Sequence, residues 1–198
     1  TPKPSSAASD VYKRQLYRYL RDGHSPRHGI AGGPMAEVVR ELGAVPDADI
    51  RAMATYLASF NPEPLAEAAA QAEARRIVDT AARTQGRLLG PAQRMFDSAC
   101  AACHHDGDGP TLLGVNTPLA LNGNLASAKP DNLLRTILDG VRHPATRDIG
   151  FMPAFRDALD DRQIAELAGY MRARFAPQEP AWPDLQAEVA RVRAAPGH

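Results

Sequence analysis

Disulfides, bilayer-spanning runs and a net charge are all missing from this sequence. Only two of its 198 residues are cysteines, Cys100 and Cys103, so no disulfide framework is available to staple a small fold. No stretch of about 18 consecutive apolar residues occurs, which excludes a helix that crosses a bilayer. Lys plus Arg and Asp plus Glu number 23 each. That balance creates no long-range field for nucleic acid or an anionic membrane, and no nucleic-acid partner is expected. The chain opens Thr-Pro-Lys-Pro rather than with a basic and then apolar leader, so no signal peptide is visible. Residues 1–15 show neither helical nor strand periodicity and read as a non-native or disordered start.

What the chain does contain is Cys100-Ala101-Ala102-Cys103-His104, the C-x-x-C-H spacing of covalent c-type haem attachment. On a helical turn, positions i, i+3 and i+4 share a face, so two thiols and an imidazole can meet one porphyrin. Cys100 and Cys103 then form thioethers and His104 supplies a nitrogen to iron. A zinc site would need further ligands that a chain without a third cysteine does not offer in the usual pairs. A redox dithiol would sit in a βαβ pattern, which is absent. One covalent haem c is therefore expected. Its attachment takes place on the outer side of the bacterial cytoplasmic membrane, which implies a periplasmic location.

Aligned with itself, the chain repeats. Residues 16–60 echo residues 133–175: Asp22-Gly23 matches Asp139-Gly140 and Met35 matches Met152. After a short gap Asp47, Ile50, Tyr56 and Phe60 match Asp161, Ile164, Tyr170 and Phe175. Each copy reads as a helix, a glycine-rich loop carrying one methionine, and a closing amphipathic helix. Only the second copy follows a C-x-x-C-H, and projecting His104 back by the repeat offset falls before residue 1. The first copy is thus expected to be the C-terminal half of a haem domain whose attachment helix is truncated away, leaving Met35 without an iron.

Residues 86–176 read as the complete domain. A first helix is expected over 91–103, with Pro91 in its first turn and Ala92, Phe96 and Cys100 on one face. Pro110 follows the haem-binding turn, and its carbonyl can accept a hydrogen bond from the second nitrogen of His104. Asp131-Asn132 starts a helix over 133–140 with Leu134, Ile137, Leu138 and Val141 as its stripe. Met152-Pro153 is held extended on a loop, so its thioether can serve as the second axial ligand and raise the haem potential. His143 is the alternative ligand, and a buried core methionine is the plain alternative role for Met152. Asp160 or Asp161 caps a closing helix to Phe175, with Ile164, Leu167, Ala168 and Met171 buried and Tyr170 against Phe96 and Ala92.

The pattern resembles the class I cytochrome c family. It is more similar still to the c-type cytochrome subunits of membrane-associated bacterial dehydrogenases acting on alcohols, aldehydes, gluconate or nicotinate-type heterocycles. The residues that carry this are Gly33-Pro34-Met35-Ala36-Glu37-Val38-Val39, Asp49 to Leu57, Pro118 to Asn122, and Met152-Pro153-Ala154-Phe155. The resemblance implies an all-α fold, a cytochrome c-like haem domain preceded by the C-terminal half of a second one. It further implies an electron carrier rather than an enzyme, receiving electrons from a dehydrogenase catalytic subunit and passing them to a quinone or oxidase, membrane-associated through its complex.

The remaining segments read as supporting parts. Residues 61–85, rich in Pro, Ala and Glu, read as an interdomain linker with a helical stretch. Residues 177–198 read as a tail with a short helix at 185–192, whose Trp182 covers a patch of its own domain or docks a partner. His105 is expected exposed, His24 and His28 solvated, and Arg142 and Arg147 near the propionates or plainly on the surface. The rival functions are a haem enzyme of dihaem peroxidase type, which needs an open iron and a distal acid or base, and a haem-based redox or gas sensor.

Overall fold

The computed structural model describes residues 6–25, 29–61, 65–85, 88–105, 118–147 and 149–195, and their regular structure is almost entirely helical. Helix α1 (Ser6–Asp22) ends at Gly23, where the chain turns into a short antiparallel pair, β1 (His24–Ser25) and β2 (Gly29–Ile30). Helix α2 (Pro34–Leu42) starts on a first-turn proline, and α3 (Asp47–Ala58) carries Asp47 and Asp49 in its first turn, where acidic side chains oppose the helix dipole. Ile50, Ala54 and Ala58 recur every four residues on α3 and are its buried face. Ile50 and Ala54 close on Leu20 of α1, flanked by Leu16, Tyr17, Leu42 and Val45. At the edge of that contact Asp47 accepts the Tyr17 hydroxyl, Arg51 at 2.8 Å and Arg21 at 3.3 Å.

Residues 6–15, expected to be a non-native or disordered start, lie in α1 with Val11 buried, which corrects the disordered alternative. The apolar positions there are too sparse to show a period, and burial against the rest of the chain replaces it. The linker expectation is corrected as well. Helix α4 (Glu67–Gln85) packs against the helix at 161–175 and the 3-10 turn at Leu119–Leu121, and its Ala81 belongs to the main core. It is a wall of the C-terminal domain, and the small residues that made it look like a spacer are what allow close approach.

Helix α5 (Pro91–Ala99) is shorter than the span 91–103: the regular helix stops at Ala99 and the chain continues as a tight turn through His104. After the 3-10 turn come α6 (Gly123–Ala126), capped by the Asn122 side chain, and α7 (Asp131–Asp139), whose Leu133, Leu134, Ile137 and Leu138 are buried. Helix α8 (Asp161–Phe175) opens with a full capping box between Asp160 and Gln163. Phe96 lies between Tyr170 and Phe175, both rings at 5.6 Å, as the apolar spacing of the two helices demands.

The final helix α9 (Leu185–Ala194) buries Val189 and Val192 in the same core. Trp182 is buried, donates to the Ser127 carbonyl at 3.0 Å and stacks under the Arg172 guanidinium at 4.3 Å. Arg172 itself donates to the carbonyls of Leu125, Ser127 and Pro180. The tail is therefore an integral layer of the domain, and Trp182 covers its own domain.

Candidate functional site

Cys100 ends α5 with its amide bonded to the Phe96 carbonyl at 2.8 Å, and the turn tightens at once: the amides of Cys103 and His104 both donate to the Cys100 carbonyl, at 3.1 and 2.8 Å. The two thiols and the imidazole thus share a single turn, as their spacing dictates. Both cysteines are free and half-buried. Burial, with Cys103 alongside, pushes the Cys100 thiol up to about 11, so it is held as a neutral thiol. Burial first, and the neighbouring His105 second, lower the His104 pKa and favour the neutral imidazole that binds metals.

The Nδ1 atom of His104 is buried and has no partner among the described residues. An orphaned ring nitrogen beside two thiols is a donor set that fits haem c, which takes thioether attachment from such a pair and an imidazole ligand from the adjacent histidine. Pro110, the expected acceptor for that ring, lies outside the described residues, as does His28. A cavity of about 20 Å³ lies against His104, lined by Val78 and Ala81 of α4, His105, Pro118, Leu119, Ala120 and Phe175. That is room for about one water, so a macrocycle held by His104 on this side has to part these side chains.

Met152 sits on a different segment. It forms an isolated antiparallel bridge with Val141, donating at 3.2 Å and accepting at 2.9 Å. Its side chain is half-buried. The turn and the segment that follows this loop meet one core: Cys100 and Ala101, and Phe155 and Leu159, all pack against it. Met35, matched to Met152 by the repeat, is placed differently, in the first turn of α2 rather than on an extended loop. In the first copy Pro34, just before the methionine, starts a helix, whereas no helix follows Met152 until Asp161.

Other expected positions shift too. His105 is half-buried and lines the cavity, not exposed. His24 is half-buried, with Nδ1 at 3.3 Å from the Asp22 carbonyl oxygen. Arg142, His143 and Arg147 are exposed. The α4 residues Val78 and Ala81 were missed as site residues; their spacing on an otherwise polar helix was the available signal.

Residues 89–171 match the family model described as cytochrome c oxidase, cbb3-type, subunit III. The chain is 49% identical over 183 residues to a nicotinate dehydrogenase subunit of Pseudomonas putida, a match covering 92% of this chain and 15% of that protein. It is 32% identical over 203 residues to the fructose dehydrogenase cytochrome subunit of Gluconobacter japonicus, covering 88% of this chain and 39% of the relative. With the gluconate 2-dehydrogenase cytochrome c subunit of Pantoea cypripedii it shares 28% over 166 residues, or 80% and 35% of the two chains. The chain thus spans well under half the length of these relatives. A C-x-x-C-H turn closing a helix whose Phe96 is packed by the terminal helix of the same unit, within the span matched by the family model, marks this part of the chain as a cytochrome c-type domain.

Proposed function

We propose that this chain is an electron carrier in which Cys100 and Cys103 would hold one covalent haem c, with His104 and Met152 as the residues that would ligate its iron. The observation that carries the proposal is the tight turn that carries both thiols and a neutral imidazole whose Nδ1 is buried and unpartnered among the described residues. The haem supplies a one-electron iron couple. The chain's own residues do the rest. Cys100 and Cys103 tether, His104 ligates, and the apolar side chains of Phe175, Leu119 and Ala81 exclude water from the imidazole side.

Met152 is tied at both its amide and its carbonyl to Val141. That tether supports a fixed second ligand over the open site that a peroxidase or a gas sensor requires. The named relatives support a dehydrogenase catalytic subunit as the electron donor. In this reading a quinone or an oxidase is the acceptor, and the location is periplasmic and complex-bound. Residues 16–60 are the closing half of a second cytochrome c unit, and 86–176 with α4 and the tail are a whole one.

The pyridine haemochrome spectrum of the holoprotein tests this. One haem per chain, resistant to acid-acetone extraction and lost in the Cys100→Ser/Cys103→Ser double variant, is the expected result. Two haems per chain, or extractable haem, overturns it.

A further inference from the structure

We infer that the N-terminal half braces the Met152 loop, with Val39 and the Thr146–Asp22 contact as positioning residues that keep this loop shut. This rests on the proposed role of Met152 as an axial ligand. The loop leaves α7 at Gly140 and returns to the core at Phe155. Its base is bolted to α7: the amides of Phe155 and Arg156 donate to the carbonyls of Ile137 and Leu138 at 3.0 and 3.1 Å, and Arg156 pairs with Asp139 at 2.5 Å. The Val141–Met152 bridge closes above that base.

The tip of the loop is held by something else. Ala145 and Ile149 are buried, and among the described residues their cluster is completed by the N-terminal half: Ala31, Ala36 and Val39, with Tyr19, Ile30 and Met35 around them. Gly23 shapes the floor of this seat. Its φ of +74° suits glycine, and a Cβ there would come within 2.8 Å of Ile149 Cδ1 and 3.1 Å of Ala145 Cβ. Two polar ties sit at the rim. The Thr146 hydroxyl donates to the Asp22 carbonyl at 2.9 Å, and Arg40 donates to the His143 carbonyl at 3.3 Å.

A loop tip with two apolar side chains and little hydrogen bonding of its own closes only if that seat is present. With the seat removed, opening exposes Ala145 and Ile149 at little added cost, and the thioether of Met152 moves with the loop. The fraction of molecules with an open distal site is therefore set in part by residues that touch neither the cysteines nor His104.

The test uses the full-length holoprotein and three readouts. They are the far-red methionine-to-iron band of the ferric form, the carbon monoxide association rate of the ferrous form, and amide exchange over 143–147. Thr146→Val, which removes one hydrogen bond, is expected to speed carbon monoxide binding about fivefold. Val39→Ala, which opens a void in the seat, is expected to speed it about tenfold. Both are expected to raise exchange at the tip. Tyr56→Ala, on the exposed face of α3, leaves all three readouts at the parent level and so separates the brace from general loosening. Met152→Ala fixes the fully open limit.

Variants that match the parent in both carbon monoxide rate and tip exchange overturn the brace, provided the parent shows a band that Met152→Ala abolishes. A parent with no such band overturns the ligand assignment instead. The brace is then decided on tip exchange: unchanged exchange in Val39→Ala overturns it, and raised exchange upholds the seat.

Discussion

Helices α3 and α8 carry the same residues at matched places and end in opposite environments. Ile50 and Ile164 are both fully buried, as are Ala54 and Ala168. Yet Tyr56 is 66% exposed where Tyr170 is 7%, and Phe60 is 70% exposed where Phe175 is 3%. One face of each helix has a partner from its own repeat copy: α1 for α3, and α7 for α8. The other face of α8 meets Phe96 of α5, whereas Tyr56 and Phe60 touch each other edge to face at 5.2 Å. The local pattern makes the helix in both cases. A second helix decides whether an aromatic pair is core or surface.

The largest expected effect separates these two faces directly. Phe96→Ala removes the ring on which Tyr170 and Phe175 pack and is expected to cost about 3–5 kcal/mol in urea denaturation, while Phe60→Ala stays within about 0.5 kcal/mol. Comparable losses for the two would mean that the α3 face is covered in solution. A smaller contrast lies at the two matched glycines. A Cβ on Gly140 (φ +69°) would come within 2.4 Å of the Met152 carbonyl oxygen, a backbone atom, whereas at Gly23 the nearest atom is the end of the Ile149 side chain. Gly140→Ala is thus expected to cost about 2 kcal/mol or more and Gly23→Ala about 1 kcal/mol, the side chain being able to give way where the backbone is not. Equal costs would show that the left-handed backbone alone sets the penalty.

The smallest effect concerns the tail, which only the C-terminal unit has. Arg191 hydrogen-bonds Asp131 at 2.5 Å and, ahead of its Coulomb attraction, holds that carboxyl below its ordinary 3.8. Because the folded value is lowered, the tie contributes fully above the ordinary pKa and is lost as pH falls through the folded one. Acid is expected to loosen α9 from α7 before the core opens, seen as a Trp182 fluorescence change below about pH 4. That change is expected to be absent in Asp131→Asn.

Much of this was legible in the chain. The apolar spacing placed α8 at 161–175, with its cap at Asp160 or Asp161, of which the structure uses Asp160, and Pro91 opened α5 where expected. The stripe Leu134, Ile137, Leu138 and Val141 is buried as a periodic face should be. The thiols and the imidazole share one turn because their separation in sequence already requires it. Less legible was whatever depended on distant partners. Residues 6–15 lacked periodicity and are helical, α4 had the composition of a spacer and is a wall, and Met35 shares its motif with Met152 but begins a helix.

The sequence by itself determined the donor turn Cys100 to His104 and the helix starts and caps, because each of these depends on residues within a few positions of one another, and it showed the internal repeat, which needs only the chain compared with itself. Only the tertiary structure decided that α3 shows its aromatics to solvent while α8 buries them, that Val78 and Ala81 border His104, and that the seat for Ala145 and Ile149 comes from residues 19–39. Burial is a property of pairs of surfaces. The partner surface for each of these faces lies far away along the chain, where no local period reaches it.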